Sequence, residues 1–102
     1  MEGGAMNPEE LFARYLRKYQ IDLQHPDHGQ ITLTSAVWPQ QPALRQTVQA
    51  ALMGLDGVQT ATPVNADQLD LRYDSAQLRR LNPLKLLALE RQIGRQYRQA
   101  GY

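Results

Sequence analysis

Residues 21–37 read IDLQHPDHGQITLTSAV and specify the class of fold more clearly than any other part of the chain. Apolar and polar residues alternate over 31–37 and again, more briefly, over 21–24. This period of two is typical of β-strands with one buried face. The intervening HPDHG, residues 25–29, is turn chemistry. The segment therefore predicts a β-hairpin of two antiparallel strands.

The N-terminal part of the chain predicts a short lead followed by a helix. Residues 1–6 are small and glycine-rich, and we expect them to form a flexible lead. Residues 7–102 are expected to form a single domain, because a chain of 102 residues buries only one sizeable core. Asn7 offers an N-cap and Pro8 a first helical residue, so an amphipathic helix is predicted over residues 8–19.

Downstream of the hairpin, the pattern predicts a helix, two strands and a last helix. A helix opens at Pro42, and residues 58–64 and 69–73 alternate as a second hairpin, in which Pro63 favours an edge position for the first strand. The last helix begins at Pro83. Its predicted inward residues are Leu84, Leu87, Ile93 and Tyr97. The order α-β-β-α-β-β-α predicts an α+β fold with helices on one face of an antiparallel sheet.

Composition excludes several classes of protein. The chain has no cysteine, which rules out a disulfide scaffold, a thiolate metal site and a cysteine nucleophile. No window approaches the roughly 18 consecutive apolar residues of a membrane span. The N-terminus lacks the basic-then-apolar order of a signal peptide, so we expect a cytoplasmic protein. A net charge of +1 gives no global signal for nucleic-acid binding.

From residue 31 onward the chain resembles the heavy-metal-associated (HMA-like) domain family, the ferredoxin-like module of copper chaperones and metal-pumping ATPases. The matching phrases are VQAALMGLDGV at residues 48–58, LRYD at 71–74 and AGY at 100–102. The resemblance implies a ferredoxin-like sheet and a link to metal homeostasis. The family's metal loop carries Met-x-Cys-x-x-Cys, whereas residues 37–42 here read VWPQQP. Glutamine amides are hard, neutral ligands that do not suit monovalent copper, so the family's metal activity is not carried over to this chain.

The resemblance also implies a fourth strand after the final Gly-Tyr, where this sequence ends at Tyr102. Without it, the strand at 31–37 would be an open edge with unpaired amides. We expect the additional strand at 21–24 to fill that position, antiparallel to 31–37. The alternative is a homodimer that pairs the open edges.

His25, Asp27 and His28 make the one metal-like constellation in the sequence. Two imidazoles and a carboxylate suit zinc, nickel or divalent copper. Turn formation alone explains the segment, because proline, aspartate and glycine are common turn residues. We therefore predict no metal site, and a weak divalent-metal carrier that uses these residues is an alternative function.

Two surfaces are predicted to contact a protein partner. The first is the loop of Trp38, Pro39, Gln40 and Gln41, in which an exposed tryptophan would be an interface anchor. Its alternative is a tryptophan that packs at the end of the strand. The second is the stripe of Arg91, Arg95 and Arg98, which lie at i, i+4 and i+7 of the last helix. Favourable interaction with the helix dipole explains these cations without a partner. Docking to an acidic partner, a phosphate backbone or an anionic membrane surface is the functional interpretation.

The sequence carries no catalytic motif: the serines and aspartates stand without a recognisable constellation, and the glycines are explained by helix termination. We therefore predict no catalytic residues and no cofactor. The predicted function is a non-enzymatic protein-binding or regulatory module connected with metal homeostasis. The alternatives are the divalent-metal carrier and a nucleic-acid-binding module that uses the arginine stripe.

Overall fold

A computed structural model describes residues 8–102, with side chains from Glu10 onward. The predicted lead at residues 1–6 and the predicted cap at Asn7 lie outside these residues. The elements in chain order are α1 (Pro8–Arg17), β1 (Asp22–Asp27), β2 (Gln30–Thr34), α2 (Pro42–Met53), β3 (Val58–Asn65), β4 (Gln68–Tyr73), α3 (Ser75–Arg79) and α4 (Pro83–Gln99). The protein is an α+β domain, as predicted, with a short additional helix, α3.

The four strands form one open antiparallel sheet in the order β1-β2-β4-β3. Strand β1 pairs with β2, with Leu23 opposite Leu33, so the predicted pairing of residues 21–24 with the next strand is confirmed. Strand β3 lies at the other edge, as Pro63 indicated. The first hairpin is tighter than predicted, since β1 continues to Asp27 and only His28 and Gly29 form the turn, Gly29 with a φ of 75°.

The second strand of the first hairpin ends at Thr34, three residues earlier than predicted. Ser35 still continues the register of β2 with β4, since its backbone N–H donates to the Asp67 carbonyl at 3.0 Å, but Asp67 already lies in the turn between β3 and β4, where the strand pairing ends. The Ser35 hydroxyl accepts from the Val37 N–H at 3.2 Å, which folds residues 35–37 into a turn. The alternating pattern of residues 35–37, which predicted a strand, belongs to a turn. This turn places Val37 and Trp38 in the core.

One face of the sheet is apolar and the other is polar. On the central strands, Ile31, Leu33, Leu69, Leu71 and Tyr73 are buried, and the polar residues between them are partly or fully exposed. Helix α1 contacts β1 and α2 contacts β3, while α4 packs between these two helices. The helical layer α1-α4-α2 thus places the outer surface of α4 at the centre of one side of the molecule.

The prediction of the inward residues of α4 is partly wrong. Ile93 and Tyr97 are buried, but Leu84 is 69% exposed and Leu87 is only half-buried. The buried stripe continues from Ile93 through Leu89 and Leu86 instead. Because this stripe is buried, the opposite face of α4 is exposed to solvent. That face carries Leu84, Arg91, Arg95 and Arg98.

Candidate interaction surface

The structure removes Trp38 from the surface. Its side chain has no exposed area, and the indole Nε1 donates a 3.0 Å hydrogen bond to the Tyr97 hydroxyl. The expectation of an exposed tryptophan anchor is therefore wrong, and the alternative of a packed tryptophan is confirmed, because the indole bonds to Tyr97 of α4. Pro39 and Gln40 remain exposed and Gln41 is half-buried, so the loop presents no aromatic side chain to a partner.

Arg91, Arg95 and Arg98 are all exposed, as a contact stripe requires. The surface to which they belong is larger than the stripe. Nine of the eleven cations lie on α1, α3, α4 and the residues that directly follow α1 and α3, and all nine are exposed. We call this surface the basic helical face: Arg14, Arg17, Lys18, Arg79, Arg80, Lys85, Arg91, Arg95 and Arg98.

The acidic residues are distributed in the opposite way. Of the nine within residues 8–102, only Glu9, Glu10 and Glu90 belong to α1 or α4. The other six lie on strands and loops: Asp22, Asp27, Asp56, Asp67, Asp70 and Asp74. A chain with a net charge of +1 therefore concentrates its cations on its helices and its carboxylates on its strands and loops, which a net-charge figure conceals.

The contact between α1 and α4 uses the only carboxylate in α4. Glu90 accepts a hydrogen bond from the Tyr19 hydroxyl and forms a 3.8 Å ion pair with Lys18. Burial, followed by this interaction with Glu90, raises the pKa of Tyr19 to about 12. Glu90 is thus committed to holding α1 against α4.

The remaining cations of α3 and α4 have no such partner. Within the described part of the chain, no carboxylate forms an ion pair with Arg79, Arg80, Lys85, Arg91, Arg95 or Arg98. Like charges held close together on one side of a small domain repel one another. An arrangement of this kind is stabilised by an anionic partner, which is what a docking surface of this composition would bind.

The predicted metal-like residues do not converge. His25 Nε2 lies 2.7 Å from the Tyr73 hydroxyl and His28 Nε2 lies 3.3 Å from Ser75 Oγ, while Asp27 accepts from the His28 backbone N–H. Residues 8–102 contain no group of three histidine, aspartate or glutamate side chains placed to hold a metal ion. These three side chains therefore do not fit a metal, and residues 37–42 offer no thiolate ligand.

The contact between Ser75 and His28 is not a catalytic arrangement. The Asp27 carboxylate accepts from the backbone N–H of His28 and not from its ring, so Asp27 does not orient the imidazole as the third member of a triad would. Ser35, the other serine, is buried and its hydroxyl accepts from the backbone of Val37.

Arg80 and Lys85 belong to the cations of the last quarter of the sequence but not to the predicted stripe, and they line a cavity of about 410 Å³ between α3 and the first turn of α4. A local signal for Lys85 was present. Asn82 caps α4 and its side-chain oxygen accepts from the Leu84 N–H, which makes Lys85 the third helical residue. Glutamate or glutamine completes a capping box there, and a cation near a helix N-terminus opposes the helix dipole.

Comparisons with protein-family models, with curated proteins and with solved structures found no match to this chain. The described residues contain no helix long and apolar enough to cross a membrane. The physical properties of the surface are therefore the basis on which a function can be argued.

Proposed function

We propose that this protein is a non-enzymatic protein-binding module that docks on an acidic partner through its basic helical face. The observation that carries the proposal is the set of six cations on α3 and α4 without an ion pair among the described residues. Their field attracts an acidic protein over a distance of about one Debye length, roughly 8 to 10 Å at physiological salt, and raises the rate of encounter.

We further propose that the fold is a ferredoxin-like fold in which β1 stands in the position of the family's fourth strand. The strand order β1-β2-β4-β3 and the antiparallel pairing of β1 with β2 support this interpretation. On that basis the resemblance to the heavy-metal-associated family concerns the scaffold, and a role in metal homeostasis would come from the partner rather than from a bound ion.

A protein partner fits this surface better than a nucleic acid. Ferredoxin-like domains that bind RNA stack bases on aromatic residues of the open sheet face. The open face here carries Thr32, Asp70 and Arg72. Tyr73 lies on the buried face, and the ring of His25 on β1 packs edge-on against it. The open sheet face therefore offers no aromatic side chain on which a base could stack. Only the charge of the arginines would attract a nucleic acid.

The experiment compares two polyanions of equal length, a 20-residue polyglutamate and a 20-nucleotide polyuridylate, in an NMR titration at two salt concentrations. We expect polyglutamate to shift amides of α4 and the end of α1, with an affinity that falls as salt rises. Replacing Arg91, Arg95 and Arg98 by glutamine should weaken binding at least tenfold. The matched control is Arg72→Gln, which removes an exposed arginine from the open sheet face.

Two results would overturn the proposal. Shifts that map to the sheet face, or an unchanged affinity in the triple variant, would exclude the basic helical face as the docking surface. Tighter binding of polyuridylate, abolished by the same triple variant, would assign the surface to nucleic acid instead.

A further inference from the structure

Two adjoining cavities lie along α4, the first against α3 and the loop between α2 and β3, and the second against the end of α2. The first, of about 410 Å³, is lined by Asp56, Gly57, Gln77, Arg80, Leu81, Asn82 and Lys85. The second, of about 170 Å³, is lined by Ala51, Gly54, Leu55, Lys85, Ala88, Leu89 and Gln92. Lys85 lines both cavities, so they adjoin at this residue, and we call the two together the groove.

The two parts of the groove differ in chemistry. The second cavity has an apolar floor in which Leu55 and Leu89 are buried, and Gly54 and Ala88 on its sides are too small to fill it. The first cavity contains Arg80 and Lys85, which form no ion pair with any carboxylate in the described residues. A ligand for the whole groove must therefore combine apolar side chains with acidic ones.

The position of Lys85 is unfavourable for the stability of α4. The N-terminal turn of α4 contains no acidic residue, and Lys85 stands at the third helical position, where an anion would be favourable. A residue that opposes local helix stability and has no partner within the described chain is better explained by a ligand than by the fold.

We propose that this groove binds an acidic amphipathic segment of the protein partner. Apolar side chains of that segment lie on Leu55 and Leu89, and its carboxylates bind Arg80 and Lys85. Charge complementarity favours this occupant, because unpaired cations stand directly beside an apolar floor. The inference rests on the proposed function and adds the place and the chemistry of the contact. A nucleic-acid strand would leave the apolar floor unused, whereas Asp56 in the wall of the first cavity opposes either anionic ligand.

The test uses a fluorescein-labelled, acetylated 16-residue peptide of glutamate, leucine and alanine whose leucines fall on one helical face. A peptide of identical composition with scrambled order is its control. Fluorescence anisotropy should show at least tenfold tighter binding of the amphipathic peptide. Ala88→Glu places a carboxylate over the apolar floor, and Lys85→Glu reverses the charge at the junction of the cavities. Each should weaken binding at least tenfold.

Ala66→Glu is the matched control variant, because it makes the same substitution at an exposed turn between β3 and β4, outside the groove. It should change the affinity less than twofold. Circular dichroism of each variant verifies that the fold is retained, and Ala88→Ser, which is small and uncharged, should bind like the natural protein.

The groove and the proposed function can fail separately. Equal binding of the two peptides, or full binding by the Ala88→Glu variant, would overturn the groove and leave the charge-driven docking of the basic helical face standing. Absence of binding by both peptides and by polyglutamate would overturn both.

Discussion

The indole of Trp38 and the hydroxyl of Tyr97 are joined by a buried hydrogen bond of 3.0 Å. It links the loop after β2 to the last turns of α4, two segments 59 residues apart in the chain. Both side chains are essentially inaccessible to solvent. The bond therefore satisfies a donor that water cannot reach, at a residue of the buried stripe that lies opposite the exposed arginines of α4.

Replacing Tyr97 by phenylalanine should remove the acceptor and leave the indole N–H unpaired in the core. An unsatisfied buried donor costs about 1–3 kcal/mol, so the free energy of unfolding should fall by that amount. Urea unfolding followed by the fluorescence of Trp38, the single tryptophan, measures it directly. Tyr102→Phe, at an exposed position, is the control and should change stability by less than about 0.5 kcal/mol. Equal stability of the two variants would show that the indole finds another acceptor.

A second prediction concerns the close approach of α1 to α4. A Cβ at Gly94 would lie 2.5 Å from the Tyr19 hydroxyl and 3.2 Å from its Cζ. Gly94→Ala gains about 1 kcal/mol of helix propensity but overpacks this contact at a cost of about 1–3 kcal/mol. We expect a net loss of roughly 1 kcal/mol in the natural background.

A double-mutant cycle separates the two effects of that substitution. In a Tyr19→Ala background the tyrosine ring no longer occupies the space beside position 94. Gly94→Ala should then stabilise the protein through the higher helix propensity of alanine. If alanine at 94 were equally stabilising in both backgrounds, the contact between Tyr19 and α4 would not restrict the position.

How far the sequence predicts this fold depends on how many packings each segment allows. The alternation at 21–24 and 31–34 allows one register, because a slip of one residue would turn Leu23 and Leu33 to the polar face. The last helix allows more than one phase, since Leu84, Leu86, Leu87 and Leu89 offer two overlapping apolar stripes. Tertiary packing at Tyr97 selects between them, and no local pattern carries that information.

The candidate surface was predictable in the same limited way. The spacing of Arg91, Arg95 and Arg98 places them on one helix face in any helix. That Arg14 and Arg17 join them depends on the packing of α1 against α4 through Glu90, a contact made 71 residues from Tyr19. The sequence left a packed and an exposed Trp38 as alternatives, because its buried hydrogen-bond partner, Tyr97, lies 59 residues away and no local pattern predicts that contact.

A third prediction concerns alkaline pH. The pKa of Tyr19 is raised from 10.0 to about 12 in the folded protein, by burial first and by the Glu90 carboxylate second. Below pH 10 the phenol keeps its proton in both states, and its contribution to stability is complete. Between pH 10 and pH 12 the unfolded chain releases this proton while the folded chain holds it, so the free energy of unfolding should fall as pH rises.

In Tyr19→Phe, the free energy of unfolding should no longer fall between pH 10 and pH 12 because of this group. In Glu90→Gln, the pKa of Tyr19 should be lower, so the pH range over which the free energy of unfolding falls should be narrower. Urea unfolding at intervals of half a pH unit, together with the ultraviolet absorbance of tyrosinate, measures both changes. An identical slope in the natural protein and in Tyr19→Phe would mean that the Tyr19 proton is not held by the fold.

The last prediction is that Lys85→Glu has opposite effects on stability and on peptide binding. Glutamate at this position would complete the capping box with Asn82 and would interact favourably with the N-terminus of α4. We expect Lys85→Glu to raise the free energy of unfolding by about 0.3–1 kcal/mol at low salt, and by less in 0.5 M salt because the interaction is screened. The same variant should bind the acidic peptide at least tenfold more weakly.

Arg98→Glu makes the same kind of change at the other end of α4 and is the control. It should lower the free energy of unfolding, since it places a negative charge at the helix C-terminus. A loss of stability in Lys85→Glu would show that the lysine supports its own fold, and its position would then no longer favour a ligand in the groove.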